Sequence, residues 1–182
     1  MNEIVSKEEI AANTYRYKIQ HPKIAKKRKA GQFVILRLHE GGERVPLTIV
    51  DSDPVAGTVT LIFQAVGHST RELAQMEVGD SLMDLAGPLG KPTHLENFGT
   101  CCVVGGGYGT APVLPIAAAL KDAGMEADQV ARVAITAPHA RAGAALAKHL
   151  GAAGVDVADP LATTVGFAGA AHPLVQLAAL VE

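Results

Sequence analysis

The chain has 182 residues, of which 48% are apolar and 19% charged, with a formal net charge of −2. This composition supports a packed core and argues against global disorder and against a general nucleic-acid binder. No apolar run approaches the roughly 20 residues that span a bilayer. Met1–Ile4 opens directly into a strand-like pattern, without a targeting signal. We therefore expect a soluble, cytoplasmic protein that binds neither nucleic acid nor membrane.

The first half of the chain reads as short strands separated by turns. Alternating polar and apolar residues predict strands at Asn2–Ser6 and Thr14–Gln20, and an apolar run predicts another at Phe33–Leu38. The basic segment Lys23–Lys29 lies between them. We interpret this segment as a solvated loop, although its five basic side chains can also attract an acidic partner or a phosphate.

The next predicted strand, Arg44–Val50, contains a proline. Proline donates no ladder hydrogen bond, so this pattern is typical of an edge strand or a bulge. Its Arg, Pro and Thr residues also suit a flat ligand lying against the edge, and spacing alone leaves both interpretations open. A turn at Asp51–Gly57 and a strand at Thr58–Val66 follow.

A short helix is predicted after residue 66. Gly67, Ser69 and Thr70 offer N–H groups and two hydroxyls at its start, which suits either a pyrophosphate or a plain N-terminal cap. A last strand runs from Val78 into the Gly- and Pro-rich connector Ala86–Pro92. Six or seven short strands with turns between them predict a small antiparallel β-barrel over residues 1–96.

Beyond residue 100 the pattern changes to alternating strands and helices. The apolar run Cys101–Val104 enters the glycine cluster Gly105–Gly109, and a helical pattern leaves it at Ala111–Ala123, an arrangement that favours a bound phosphate. The strict fingerprint G-x-G-x-x-G fails at Thr110, and the sequence reads G-x-G-x-G-x-x-P. The alternation predicts an α/β domain with a parallel sheet over residues 97–182. Its further elements are expected at Val130–Thr136, Ala140–Leu150, Val155–Val157 and Pro173–Val181.

Five motifs occur along the chain in a fixed order. They are Gly31-Gln32-Phe33, Arg44-x-Pro46-Leu47-Thr48, Gly67-x-Ser69-Thr70, Gly87-Pro88-Leu89-Gly90 and Gly105-x-Gly107-x-Gly109-x-x-Pro112. In this order the chain resembles the ferredoxin–NADP reductase superfamily. Within it, the chain is most similar to the electron-transfer subunit of dihydroorotate dehydrogenase and the small subunit of NADH-dependent ferredoxin–NADP oxidoreductase.

The resemblance implies that the barrel binds FAD, and it assigns roles to the motifs. The isoalloxazine is expected against Arg44, Val45, Pro46, Leu47 and Thr48, with the Thr48 hydroxyl near the reactive flavin edge as the one catalytic group. The flavin and its ribityl chain are expected along Ile62, Phe63 and Gln64, and the pyrophosphate at Gly67, Ser69 and Thr70. The nicotinamide-nucleotide turn is expected at Gly105, Gly107, Gly109, Thr110, Ala111 and Pro112.

The second half departs from the family pattern. The family has an Ala-Arg pair after the strand at Val130–Thr136, where this chain has Ala137-Pro138. It also has a further strand and four cysteines that hold a 2Fe–2S cluster, and this sequence contains neither. Cys101 and Cys102 are adjacent and read as buried strand residues rather than metal ligands. We therefore expect an incomplete α/β domain, with NAD(P)H a possible ligand and no metal site.

The resemblance implies an FAD-binding oxidoreductase subunit that moves electrons between NAD(P)H and a larger catalytic partner. The partner is expected to be of the dihydroorotate dehydrogenase or glutamate synthase type. In such a protein the cofactor carries the chemistry and the protein supplies position and electrostatics. A non-catalytic flavoprotein or assembly subunit that does not itself use NAD(P)H is the alternative, and a free-standing flavin reductase is a third.

Overall fold

The computed structural model describes residues 2–96 and 110–123. The chain divides into two compact units, one of residues 1–95 with 111–119 and one of residues 96–110 with 120–182. The strands and the first two helices described below all lie in the first unit.

Six strands form one sheet in which every neighbouring pair is antiparallel. They are β1 (Ile4–Ala11), β2 (Thr14–Gln20), β3 (Phe33–Arg37), β4 (Val45–Asp53), β5 (Thr58–Gln64) and β6 (Asp84–Leu89), in the order β1-β2-β5-β4-β3-β6. The two ends of this order also meet. A bridge joins Glu3 to Ser81, and the Ile4 N–H donates to the Asp80 carbonyl oxygen at 2.8 Å. The predicted antiparallel architecture of this region is confirmed.

Alternate strand residues supply the core, as the period of two requires. Tyr17, Phe63 and Leu73 are among its largest fully buried side chains. The rings of Tyr17 and Phe63 meet nearly perpendicular, with centroids 5.0 Å apart, and Tyr15 stacks on Phe63 at 5.7 Å. Because these residues belong to β2 and β5, the aromatic cluster joins the β1–β2 hairpin to the β4–β5 hairpin.

A short helix, α1 (Pro22–Lys27), stands where a loop was expected. The His21 Nδ1 accepts the Ile24 N–H at 3.2 Å, and Pro22 occupies the first turn, where a missing N–H costs nothing. Ile24 and Ala25 are buried while the lysines of the segment stay exposed. The loop prediction was wrong here because one buried apolar pair and a histidine cap are sufficient for a short helix. The basic residues dominate the composition of the segment, so its sequence shows no helical pattern.

The predicted turn at Asp51–Gly57 is shorter than expected. Asp51, Ser52 and Asp53 still belong to β4 and pair with β5. The Asp53 carboxylate then accepts the N–H groups of Val55 and Ala56 at 2.8 and 2.9 Å, which closes the hairpin. The Asp53 side chain thus caps the turn at the position where β4 ends.

Two further helices are α2 (His68–Gln75) and α3 (Thr110–Asp122). The helix expected at Ala111–Ala123 is confirmed, but Leu114 is 53% exposed, so the helix is not buried all round. No helix in the described residues is long and apolar enough to cross a membrane. The elements expected between residues 124 and 182, and Cys101–Val104 with Gly105–Gly109, lie outside the described residues.

Candidate functional site

The β4–β5 ladder stops partway along both strands. Pairing runs from Asp53 opposite Thr58 to Ile49 opposite Leu61, with an irregularity between Ile49 and Asp51. The first half of β4, residues 45–48, pairs only with β3, and residues 62–64 of β5 pair only with β2. Within the described strands, residues 45–48 of β4 and residues 62–64 of β5 therefore do not pair with each other, and the backbone edges between them are left without a ladder partner.

This break explains the proline in an interior strand. Pro46 pairs with Ile35 of β3 and lies in the half of β4 that has no β5 partner. Although β4 lies between β3 and β5, it is locally an edge at Pro46, followed by a bulge. The edge-or-bulge interpretation therefore holds locally, and the reason is that proline needs no ladder acceptor on that side.

The predicted flavin-lining residues of β4 divide between two faces. Arg44 and Pro46 are exposed and Thr48 is half-buried, whereas Leu47 is buried in the core. Thr48 stands opposite Phe33 in the ladder. The half-buried Thr48 thus lies beside the break, next to the buried Leu47.

On β5 the same alternation applies. Ile62 is half-buried and Gln64 exposed, while the Phe63 side chain is 1% exposed and belongs to the aromatic cluster. The side chains of Ile62 and Gln64 are accessible to a ligand beside the break. Phe63 offers a ligand only its main chain.

Three residues separate β5 from helix α2. The predicted pyrophosphate residues lie at the start of this helix, with Gly67 as its N-terminal cap and Ser69 and Thr70 in its first turn. Thr70 Oγ1 accepts the Gly67 N–H at 3.0 Å and so fixes the turn into the helix. The first turn has no acidic side chain, and a Cβ at Gly67 would meet only Thr70 Oγ1, at 3.7 Å. Since the first N–H groups of a helix have no acceptor within it, this end has the donor set and the space that an anion needs.

The loop between β3 and β4, residues 38–44, is fastened to α2 by two side-chain contacts. The Ser69 hydroxyl, on a residue that is 8% exposed, donates to the Glu43 carboxylate. His39 Nε2 lies 3.0 Å from Glu72 Oε1. Sequence reasoning missed Glu43 and His39, and the only available signal was that Glu43 directly precedes the Arg44 motif.

Two of the five motifs form a structural joint. Gln32 Nε2 donates to the Gly90 carbonyl oxygen at 2.9 Å, and Gln32 Oε1 accepts the Lys29 N–H at 2.9 Å. A Cβ at Gly90 would lie 2.9 Å from a ring carbon of Phe33. Gly31-Gln32-Phe33 and Gly87-Pro88-Leu89-Gly90 therefore hold β3 against the end of β6.

A cavity of about 450 Å³ opens beside β3 and β6. Ile35, Arg37, Asp84 and Arg44 are among its lining residues, and Arg44 is the one predicted site residue in that lining. The Arg37 guanidinium and the Asp84 carboxylate of this lining form an ion pair at 2.5 Å. Because none of residues 45–48 and 62–64 lines the cavity, it is distinct from the break in the β4–β5 ladder.

The remaining predicted residues belong to the glycine turn. Gly105, Gly107 and Gly109 lie outside the described residues, while Thr110, Ala111 and Pro112 form the first turn of α3. The assignment of this turn to a nicotinamide nucleotide stays a prediction, as do the individual flavin contacts.

Comparison with known proteins gives this geometry its class. Residues 2–94, about half of the chain, match the family described as the oxidoreductase FAD-binding domain. The chain belongs to this family and thus to the ferredoxin–NADP reductase superfamily, which confirms the resemblance derived from the motifs. An FAD-binding domain is accordingly present in the first half of the chain.

Particular relatives narrow the comparison. The chain is 46% identical over 124 residues to a dihydroorotate dehydrogenase B (NAD(+)) electron transfer subunit homolog of Thermotoga maritima, covering 68% of this chain and 44% of that protein. It is 35% identical over 115 residues to the corresponding subunit of Fusobacterium nucleatum, covering 60% and 44%. This chain is homologous to these electron transfer subunits.

Solved structures agree. The NADH-dependent reduced ferredoxin–NADP oxidoreductase matches with a TM-score of 0.69 and 42% identity, over 74% of this chain and 48% of that one. The ferredoxin reductase in carbazole 1,9a-dioxygenase, with a TM-score of 0.63 and 21% identity over 77% and 44%, shows the shared fold alone. The chain spans about half the length of the relatives that it matches.

Proposed function

We propose that this protein is an FAD-binding electron-transfer subunit that moves electrons between NAD(P)H and the redox centre of a larger catalytic partner. The observation that carries the proposal is the break in the β4–β5 ladder. It leaves backbone groups of both predicted flavin-lining segments without a ladder partner in each other, and the half-buried Thr48 lies beside it. The anion-favouring start of α2 follows β5 directly along the chain.

The residues fit FAD by the chemistry of their donors. The backbone edges of residues 45–48 and 62–64 offer N–H and C=O groups to a flat heterocycle, and the first N–H groups of α2, beside Ser69 and Thr70, offer donors to its diphosphate. When bound, FAD is the group that carries the electrons. The protein binds and orients it, Thr48 donates toward its reactive edge, and no side-chain acid or base is needed for hydride transfer.

The proposal extends to the rest of the chain. The six strands form a closed barrel, and residues 97–182 form an α/β domain whose glycine turn takes NAD(P)H. The partner is a catalytic subunit of the dihydroorotate dehydrogenase or glutamate synthase type. Its support is that the relatives from Thermotoga maritima and Fusobacterium nucleatum are named as electron transfer subunits.

The test is reconstitution followed by anaerobic reduction. The purified chain is incubated with FAD, freed of excess flavin and scanned for protein-bound flavin absorbance, and it is then mixed with NADH and separately with NADPH. Bound flavin that either nucleotide bleaches supports the proposal. Bound flavin that neither bleaches assigns the alternative, a flavoprotein or assembly subunit without NAD(P)H use, and no bound flavin overturns both.

A further inference from the structure

The contact between Glu43 and Ser69 conflicts with the role expected of Ser69. A serine hydroxyl has one proton to donate, and Ser69 donates it to the Glu43 carboxylate. It cannot at the same time donate it to a phosphate oxygen. A hydroxyl predicted to hold the diphosphate is therefore engaged by a negatively charged group of the protein itself.

The location of the carboxylate matters as much as the bond. Ser69 is the second residue of α2, so Glu43 lies at the positive end of the helix, where an anion is favoured. The same loop is also held through His39 and Glu72, and the Gly42 N–H donates to the His39 carbonyl oxygen at 2.9 Å, which tightens the loop. Glu43 thus has the position and the charge of a ligand anion.

We propose that Glu43 is an internal counter-ion for the start of α2, which the diphosphate of FAD must displace, and that Glu43 thereby sets the affinity for the cofactor. The inference rests on the proposed function, since it concerns the same ligand. Binding requires that the Ser69 hydroxyl turn from the carboxylate to a phosphate oxygen. It also requires that the Glu43 carboxylate move away, because the two phosphate groups of the diphosphate carry the same negative charge.

The experiment compares Glu43→Gln with Glu40→Gln. Both variants remove one negative charge from the same loop, but only Glu43 contacts Ser69. The side chain of the exposed Glu40 forms no hydrogen bond or ion pair with the described residues. The dissociation constants of FAD and of ADP are measured by fluorescence titration and calorimetry at low salt. ADP carries the diphosphate without the isoalloxazine, so it probes the start of α2 alone.

Glu43→Gln is expected to bind FAD and ADP about fivefold more tightly than the unmodified chain, and Glu40→Gln to match the unmodified chain. Equal or weaker ADP binding by Glu43→Gln overturns the inference, because Glu43 would then position Ser69 for the ligand. If no variant binds FAD while the ADP difference persists, the proposed function fails and the counter-ion role stands. If no variant binds ADP, the inference is overturned as well.

A double-mutant cycle shows whether the effect passes through the hydroxyl. In a Ser69→Ala background the carboxylate has no hydroxyl to engage, so the gain from Glu43→Gln is expected to shrink to less than half. An undiminished gain contradicts displacement at Ser69. Thermal midpoints without ligand, taken for all variants, separate changes of affinity from changes of folding.

Discussion

The hydroxyl of Tyr17, on β2, lies 2.9 Å from the carbonyl oxygen of Leu73 and 3.0 Å from that of Met76, at the end of α2. Tyr17 is fully buried, and burial raises the pKa of its phenol well above the ordinary value because the phenolate is poorly solvated there. The group therefore remains a donor throughout the neutral range. A central strand thus fixes the far end of the helix whose start contains Gly67, Ser69 and Thr70.

Tyr17→Phe is expected to lower the free energy of unfolding by about 1–2 kcal/mol, because the buried hydroxyl no longer donates its one proton to the Leu73 or the Met76 carbonyl oxygen. The matched control is Tyr15→Phe, which removes a hydroxyl from the same strand and the same aromatic cluster. Tyr15 has no hydrogen bond from its hydroxyl among the described residues. Urea unfolding measures the free energy of unfolding of both variants. If both lose the same amount, the hydrogen bond of the Tyr17 hydroxyl contributes nothing to stability.

His21 makes stability depend on pH. Burial lowers the pKa of His21 below its ordinary value of 6.5, so the unfolded chain binds the proton first as the pH falls. Stability is therefore expected to decrease as the pH drops below about 6.5 and to be free of this contribution above it. Protonation also removes the Nδ1 lone pair that accepts the Ile24 N–H.

The variant His21→Asn isolates this contribution. Asparagine caps helices and does not titrate, so the variant should lose less stability than the unmodified chain between pH 7.5 and pH 5.5, on either side of the roughly 6.5 at which histidine titrates. Thermal midpoints at the two pH values give the comparison. Parallel changes in both proteins would place the pH dependence elsewhere.

Elements with a clear apolar run could be predicted from the sequence. Phe33–Leu38 and Thr58–Val66 are predicted as strands and contain β3 and β5, since short runs of β-branched, aromatic and other apolar residues are typical of strands. The helix α1 could not be predicted, because six residues carry too few apolar positions to show a helical period. Its formation depends on a histidine cap, which is not among the common capping residues.

The candidate site was predictable only in its local parts. The motifs around Thr48 and Ser69 are continuous in sequence, so their residue types point to a ligand. The contact between Glu43 and Ser69 joins residues 26 positions apart, and the break in the β4–β5 ladder depends on where pairing ends. No local pattern encodes either feature, because both arise when separate strands and loops pack together.

Gly31 is expected to tolerate no side chain. Its φ is +83°, and a Cβ would lie 2.1 Å from Thr93 Oγ1. Gly31→Ala should cost about 2–5 kcal/mol, the sum of a left-handed backbone and an overlap. Gly79→Ala is the control, because Gly79 has a φ of +99° with nothing within 4 Å of the added Cβ, and it should cost only about 1–2 kcal/mol.

Chemical unfolding of the two glycine variants measures the difference. Adding Thr93→Ala to Gly31→Ala removes the overlapping oxygen and should recover part of the loss. Equal costs at Gly31 and Gly79 would mean that Thr93 moves aside freely. The joint between β3 and the end of β6 would then be looser than the packing indicates.

Phe63 and Gln64 are adjacent, but substitutions at the two positions should have opposite effects: one on stability and the other on FAD binding. Phe63→Leu is expected to reduce stability by about 1–2 kcal/mol through loss of buried ring contacts, with little effect on the dissociation constant of FAD. Gln64→Ala, at an exposed position, should leave stability within about 0.5 kcal/mol and weaken FAD binding about threefold. Thermal unfolding and FAD titration of both variants test this, and weaker FAD binding by Phe63→Leu alone would place the ring at the flavin.

Thr48→Val should affect flavin reduction more than flavin binding. Valine keeps the shape of threonine and removes the hydroxyl of this half-buried residue beside the break in the ladder. One lost hydrogen bond to the reactive edge corresponds to about 0.5–1.5 kcal/mol, so reduction should slow about 2- to 10-fold. Stopped-flow mixing of the FAD-loaded protein with NADH or NADPH measures the rate. The control is Thr58→Val, at the end of β5 that lies away from the break, and its flavin should be reduced at the rate of the unmodified protein. An unchanged rate of flavin reduction in Thr48→Val would show that the Thr48 hydroxyl takes no part in the reaction.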